Sequence, residues 1–398
     1  MRVRCGTFVA FLLFTLSAIT CRAQSATTPK PDIRMVDAGG HKLRLVIAGS
    51  GAPTVVLEAG LGDTAGSWRR VFPAIASFSR VVAYDRAGSG ESDSGPKPRS
   101  YTQIATELHS ALQKAGIAPP YVLVGHSLGG ALIRGYQHLY PGEVVGMVFI
   151  DPISESIADD PERWAHMKQE QGSMLSDASE ATRGEMDFVT ADCDRHCAAL
   201  RSLVPPPDLP LSLLVARRDR PPGWEQLVTT VYQPWIMASP FGRMTITPDS
   251  GHYIQNDQPD LVIESIRRTV FPDALTVLSK AIAQQGVDAA LQRYREMKQR
   301  YPPDFLNERT LNSLGYAQLY AHGTSFAGVN NAEAAIRIFS VNAEQYPQSA
   351  NVYDSLAEAY MVAGKREDAL KNYRKSLEMN PDNSNAANRI REIETSSH

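Results

Sequence analysis

One junction constrains this chain more than any other feature. The apolar run Tyr121-Val122-Leu123-Val124 passes through Gly125-His126-Ser127-Leu128-Gly129 straight into a helical pattern over 130–140. Extended chain followed at once by helix demands a tight turn, and Ser127 sits at its centre. The flanking glycines let neighbouring backbone approach where a Cβ would collide. The turn presents the serine hydroxyl, and the Leu128 N–H, at the helix start, is free to face developing negative charge. The five-residue pattern is weak by itself; a strand before it and a helix after it make it specific.

The surrounding sequence repeats the same alternation. Short Val/Ile/Leu/Tyr runs bounded by Gly, Pro or Asp occur at 42–48, 54–58, 81–84, 121–124, 145–150, 211–216 and 244–247, and read as strands. Helical patterns fall at 67–78, 102–115, 130–140 and 259–270. Continuous apolar strands separated by helices imply an α/β fold, with a mostly parallel sheet covered on both faces. The stretch 154–210 breaks the alternation. It is rich in Asp, Glu, Met and Ser and reads as a helical cap inserted over the C-terminal edge of the sheet.

A serine hydroxyl needs a base to become a nucleophile. His252, in Ser250-Gly251-His252-Tyr253, follows the last strand and precedes the last helix of this region, and is the candidate. The turn after 54–58 reads Glu58-Ala59-Gly60-Leu61-Gly62, which makes the Leu61 N–H the second candidate oxyanion donor beside Leu128.

Four segments together carry a family resemblance. Glu58-Ala59-Gly60-Leu61-Gly62, Tyr84-Asp85-Arg86-Ala87-Gly88-Ser89-Gly90-Glu91-Ser92, Gly125-His126-Ser127-Leu128-Gly129-Gly130 and Ser250-Gly251-His252-Tyr253-Ile254 stand in the order found in α/β-hydrolase superfamily serine hydrolases of the esterase-like branch. Residues 33–272 resemble that superfamily. Many relatives carry His-Gly after the strand at 54–58; here it is Ala59-Gly60 preceded by Glu58, which alters what packs beneath the loop. The resemblance implies that Asp85 and Arg86 order their turn. It also implies an acid that orients the histidine, and leaves two places for it. Most members keep it in the loop after the strand 211–216, where Asp219 lies among Arg217, Arg218 and Arg220; a minority keep it at the end of 145–150, where Asp151 lies. The reading favours Asp219 and retains Asp151 as the alternative.

The N-terminus has two early arginines and a 12-residue apolar run, 8–19. That is short of the roughly 20 residues of a membrane-spanning helix and matches an export signal cleaved after Ala23, with lipidation at Cys21 the less favoured route. Cys193 and Cys197 then remain in the mature chain, and a bridge between them requires that stretch to leave helical geometry. A metal site from Cys193, His196 and Cys197 lacks a fourth local ligand, so no metal is expected.

After residue 272 the strands stop and a repeat begins. Ala335-Ile336, Phe339 and Pro347 recur 34 residues later as Ala369-Leu370, Tyr373 and Pro381. Ala290-Leu291, Tyr294 and Pro302 match 45 residues upstream, with an insertion around 322–331. A period of 34 resembles tetratricopeptide repeats, so 273–395 is expected to be an all-α helical-repeat domain closed by a helix over 384–394. Such units bury their faces mainly against each other.

The chain has 40 Lys+Arg against 43 Asp+Glu, which argues against nucleic-acid binding through bulk positive charge. The N-terminal signal implies an exported, periplasmic or extracellular protein, and the resemblance implies a serine hydrolase that needs no cofactor and acts on a small-molecule acyl substrate, an ester first. The helical repeats imply a protein or peptide partner, and no span is expected to cross a membrane in the mature chain. The competing expectation is an idle hydrolase-fold scaffold whose repeats do the biological work.

Overall fold

The computed structural model describes residues 30–155, 178–190, 200–204, 209–220, 223–239, 241–301, 305–320 and 331–395, together with 159, 165 and 169. The leader over 1–23, with Cys5 and Cys21, lies outside the described residues, as do Cys193, His196, Cys197 and nearly all of the insertion at 322–331.

The strands form an eight-stranded sheet of order β1-β2-β4-β3-β5-β6-β7-β8. These are β1 (Asp32–Asp37), β2 (Lys42–Ala48), β3 (Thr54–Glu58), β4 (Val81–Tyr84), β5 (Tyr121–His126), β6 (Val144–Ile150), β7 (Leu211–Ala216) and β8 (Arg243–Thr247). β2 pairs antiparallel with both β1 and β4, and every other pairing is parallel. All residues of β3, β4, β5, β6 and β7 are buried, as a sheet covered on two faces requires.

The helices among the hydrolase-like residues are α1 (Phe72–Ala76), α2 (Tyr101–Lys114), α3 (Leu128–Leu139), α4 (Glu180–Thr190), α5 (Trp224–Ala238), α6 (Ile254–Asp257) and α7 (Pro259–Val270). Strand residues alternate between two cores. Val56, Val82, Leu123, Phe149 and Val215 face Leu108, Ile133 and Tyr232 from α2, α3 and α5. Val55, Val81, Val124, Ile150 and Leu214 face Ile75 and Ile266 from α1 and α7. The helix expected over 67–78 is two short pieces: a 3-10 turn, Ala65–Trp68, capped by the Thr64 hydroxyl, and then α1 with Pro73 in its first turn. Sequence patterning missed β1, whose side chains are almost all exposed, and α5, which carries Pro234 inside it.

Among the described residues, seven further helices follow: α8 (Ala274–Gln285), α9 (Val287–Arg300), α10 (Glu308–Leu319), α11 (Ala332–Gln345), α12 (Ala350–Val362), α13 (Arg366–Met379) and α14 (Ser384–Thr395). Neighbouring helices pack in sequence, and so do alternate ones such as α9 with α11. The recurring positions Ala290, Tyr294, Ala335, Phe339, Ala369 and Tyr373 are all buried, one pair each in α9, α11 and α13. Burial is not confined to this helical region. Val277, Leu291, Tyr294, Met297, Leu311 and Ile338 join Val145, Ile266 and Val270 in one core cluster. Tyr301 also donates its hydroxyl to the Val145 carbonyl of β6 at 3.3 Å. The helices thus add to the cover that α1 and α7 give to one face of the sheet. Among the described residues, no helix is long and apolar enough to cross a membrane.

Candidate active site

The parallel order sends the ends of β5, β6 and β7 to one edge. The non-glycine residues with positive φ among the described residues are found there: Ser127 (53°), Asp151 (40°) and Asp219 (58°). Backbone held in this region by non-glycine residues costs free energy and concentrates at functional sites.

Ser127 joins β5 to α3. Its N–H donates to the Ile150 carbonyl at 3.1 Å, and its own carbonyl accepts from the N–H groups of Gly130 and Ile153 at 3.0 and 3.1 Å. These bonds lock the turn while the side chain makes no capping bond to the helix. The turn is possible only because α3 begins against other backbone. A Cβ on Gly129 would lie 2.3 Å from the Glu58 carbonyl oxygen, and one on Gly125 would lie 2.4 Å from the Gly129 carbonyl oxygen. The first turn of α3 is thereby pressed onto the loop after β3. Leu61 from that loop and Leu128 from the helix start pack in one cluster with Leu132 and Leu200, so the structure brings the two candidate oxyanion residues together.

A buried ion network fixes that loop. The Arg86 guanidinium donates to Glu58 at 2.8 Å and to the carbonyls of Ala59 and Gly60 at 2.8 and 2.7 Å. It also grips Glu185 of α4 with two bonds of 2.7 and 2.8 Å. Tyr84 donates its hydroxyl to Glu58, whose carboxyl is pushed up by burial against the pull of Arg86. Glu58 is thus the anchor beneath the loop. Arg86 does more than order its own turn, since it ties the loop to the cap helix. Asp85 does order that turn, accepting from the N–H groups of Ala65 and Glu91 at 2.8 and 3.1 Å. Glu185 gave no signal in the sequence, because only the tertiary fold brings α4 over the sheet.

His252 lies in the loop after β8. The Asp257 carboxylate holds that loop, accepting from the Gly251 N–H at 2.8 Å. The His252 carbonyl is 3.0 Å from Nε2 of His126, the neighbour of Ser127, and the two imidazole centroids are 4.6 Å apart. Its Nδ1 lies 2.7 Å from Oδ2 of Asp151. Asp219, the favoured acid of the sequence reading, is not brought to His252. Its side chain is 80% exposed and pairs with Arg218 at 3.2 Å. The Arg218 backbone and side chain both bond to the loop at 249–257, and Asp219 pairs with that arginine rather than with the imidazole.

Asp151 is fully buried, and its other oxygen accepts from the Ala216 N–H at 3.0 Å and Trp224 Nε1 at 3.3 Å. Burial opposes its ionisation, but the His252 hydrogen bond and the Arg220 charge outweigh burial and hold the carboxyl below its ordinary range. For His252, burial favours the neutral ring, the Asp151 bond opposes this, and His126 and Arg220 reinforce it. The balance lowers its pKa to about 4. The arrangement supplies a serine in a tight strand-to-helix turn and, beside it, a neutral imidazole whose Nδ1 meets a carboxylate.

A model of the alpha/beta hydrolase family matches residues 55–265, more than half of the chain. The chain belongs to the alpha/beta hydrolase family. It is 32% identical over 148 residues to the "Probable transporter efuK" of Hormonema carpetanum, covering 34% of this chain and 21% of that one. It is 48% identical over 84 residues to RutD of Klebsiella pneumoniae, a protein named for carbamate hydrolysis, covering 21% and 31% of the two chains. The chain spans about a fifth to a third of the length of these curated relatives. Among solved structures it is similar to a thermophilic esterase of Thermogutta terrifontis. That match has 20% identity and a TM-score of 0.43, covering 60% of this α/β hydrolase and 97% of the esterase.

Proposed function

We propose that this protein is an exported serine hydrolase that cleaves an acyl bond, a carboxylic ester first, using Ser127, His252 and Asp151. The observation that carries this reading is the meeting of the Asp151 carboxylate with His252 Nδ1 at 2.7 Å, beside the turn that holds Ser127. Ser127 Oγ attacks the acyl carbonyl while His252 Nε2 takes its proton. Asp151 accepts the Nδ1 hydrogen, fixing the tautomer and stabilising the imidazolium as it forms. The N–H groups of Leu61 and Leu128 hold the oxyanion, and Arg86 keeps the first of these loops in register. The proton then passes to the departing alcohol, and water releases the acyl group by the same steps. Serine at the elbow disfavours epoxide or haloalkane opening, which in this fold takes a carboxylate there. The name of RutD falls within the same acyl chemistry.

The helical region is read as tetratricopeptide-like. The 34-residue recurrence, with its matching buried positions in α11 and α13, supports this, and its outer helices are assigned a protein or peptide partner. Fluorophosphonate labelling and a series of p-nitrophenyl esters of graded acyl length test the catalytic reading. Wild type labels and turns over, and Ser127→Ala does neither. Absence of both in wild type overturns the hydrolase reading; labelling that survives in Ser127→Ala overturns the nucleophile.

A further inference from the structure

Three arginines lie within four residues of the β7 loop, and they face different ways. Arg217 is 58% exposed and bonds to Glu225, while Arg218 is 47% exposed and bonds to Asp257. Arg220 is 17% exposed and turns inward. Its Nη2 contacts both Oδ2 of Asp151 and Nδ1 of His252. The Trp224 indole stacks on this guanidinium, 4.1 Å from ring centroid to Cζ, and donates its own N–H to the other Asp151 oxygen. We propose that Arg220 is a positioning residue for His252, a fixed cation on the Asp151–His252 pair that sets how acidic the medium becomes before the histidine ceases to be a base.

The inference rests on the hydrolase reading above and deepens it. A carboxylate has about four acceptor sites. Asp151 fills them with Ala216 N–H, Trp224 Nε1, His252 Nδ1 and Arg220. Its negative charge is therefore shared between the imidazole and a permanent cation. A cation beside a ring nitrogen penalises the imidazolium and leaves the neutral ring in place to lower pH. The other ionisable groups around His252 are His126 at the end of β5, Tyr253 next in sequence, and Asp63, which lies 3.7 Å from His126. Arg218 and Asp257 hold the backbone of the loop below. Of these, Arg220 is the cation that touches the ring. The arrangement favours retained activity in mildly acidic surroundings, at the expense of some stabilisation of the imidazolium in the transition state.

The test is the pH dependence of kcat/KM for p-nitrophenyl ester hydrolysis by the full chain, comparing wild type, Arg220→Gln and Arg220→Lys. The acid limb moves up by about one pH unit or more in Arg220→Gln, so that well below the limb its rate falls about tenfold or more further than wild type relative to each plateau. Arg220→Lys, which keeps the charge, leaves the limb near its wild-type position. The proposal is overturned by a limb that stays in place in Arg220→Gln, or by an equal movement in Arg220→Lys. Trp224→Leu removes the stacking surface and provides a second route if Arg220→Gln does not fold; it moves the limb the same way, and a fixed limb there also overturns the proposal. NMR titration of the His252 ring in the same variants needs no turnover. Its midpoint separates a failure of the Arg220 proposal from a failure of the hydrolase reading.

Discussion

Asp151 and His252 meet through a 2.7 Å bond between Oδ2 and Nδ1, although 101 residues separate them in sequence. β6 lies beside β5, which leads into Ser127, so Asp151 reaches His252 from the adjacent strand end and the loop after β7 brings in Arg220.

Asp151→Asn should lower ester turnover by roughly 10⁴, because the amide no longer fixes the tautomer of His252. Asp219→Asn should retain substantial activity, since that carboxylate is exposed and bonded to Arg218. Steady-state kinetics on both variants, with circular dichroism to confirm folding, reads the difference; the reverse ranking moves the acid to the β7 loop.

Gly129→Ala tests the close approach of α3 to the loop after β3. Its new Cβ would sit 2.3 Å from the Glu58 carbonyl oxygen, a backbone atom with no freedom to swing aside. A loss of about 1–3 kcal/mol or more is expected in urea unfolding, together with impaired turnover as the loop is displaced. Unchanged stability would contradict the packing described.

Glu185→Ala leaves Arg86 buried with one of its two carboxylates. Breaking a buried pair by removing one partner typically costs about 3–5 kcal/mol. Because the same guanidinium holds the Ala59 and Gly60 carbonyls, kcat should fall as well. Thermal unfolding and kinetics are read together; a stable variant with normal kcat would separate the cap from the loop.

Cutting the chain after Phe271 should leave a poorly soluble fragment. It uncovers Val145, Ile266 and Val270, which the helical region otherwise covers in one cluster. Sedimentation of the expressed fragment against the full chain decides the matter, and a soluble, active fragment would show that this contact is dispensable.

His252 also makes stability depend on pH. Its pKa is about 4 in the folded chain against 6.5 ordinarily, so between those values the unfolded chain binds a proton that the folded chain refuses. The contribution is complete above 6.5, shrinks as pH falls toward 4 and changes no further below that. Asp151, held below its ordinary range, adds a loss at still lower pH. Urea unfolding from pH 7 to 4 should show a steeper decline in wild type than in His252→Gln, by at most about 1.4 kcal/mol per pH unit. Parallel slopes would remove His252 as the cause.

Local chemistry made much of this protein legible in its sequence. The apolar runs at 54–58 and 211–216 coincide with β3 and β7, because strands buried along their whole length are mostly apolar, and the pattern over 259–270 coincides with α7, whose Val262, Ile266 and Val270 are buried at helical spacing. The candidates Ser127, Leu128 and His252 stood out in the sequence because each lies in a turn or loop after a strand, among small or turn-forming neighbours. β1 escaped because its side chains are mostly exposed and carry no apolar period, and α5 because Pro234 interrupts its pattern. The choice between Asp151 and Asp219 was beyond sequence reading. Both follow a strand at the same edge of the sheet with positive φ, and local pattern does not say which carboxylate faces a loop from β8. Tertiary structure decided that, and with it the inward turn of Arg220, the grip of Arg86 on Glu185 and the joining of the helical region to the sheet. Hydrogen bonds and ion pairs depend on separations of about 3 Å between groups remote in sequence, which packing sets and no local pattern encodes.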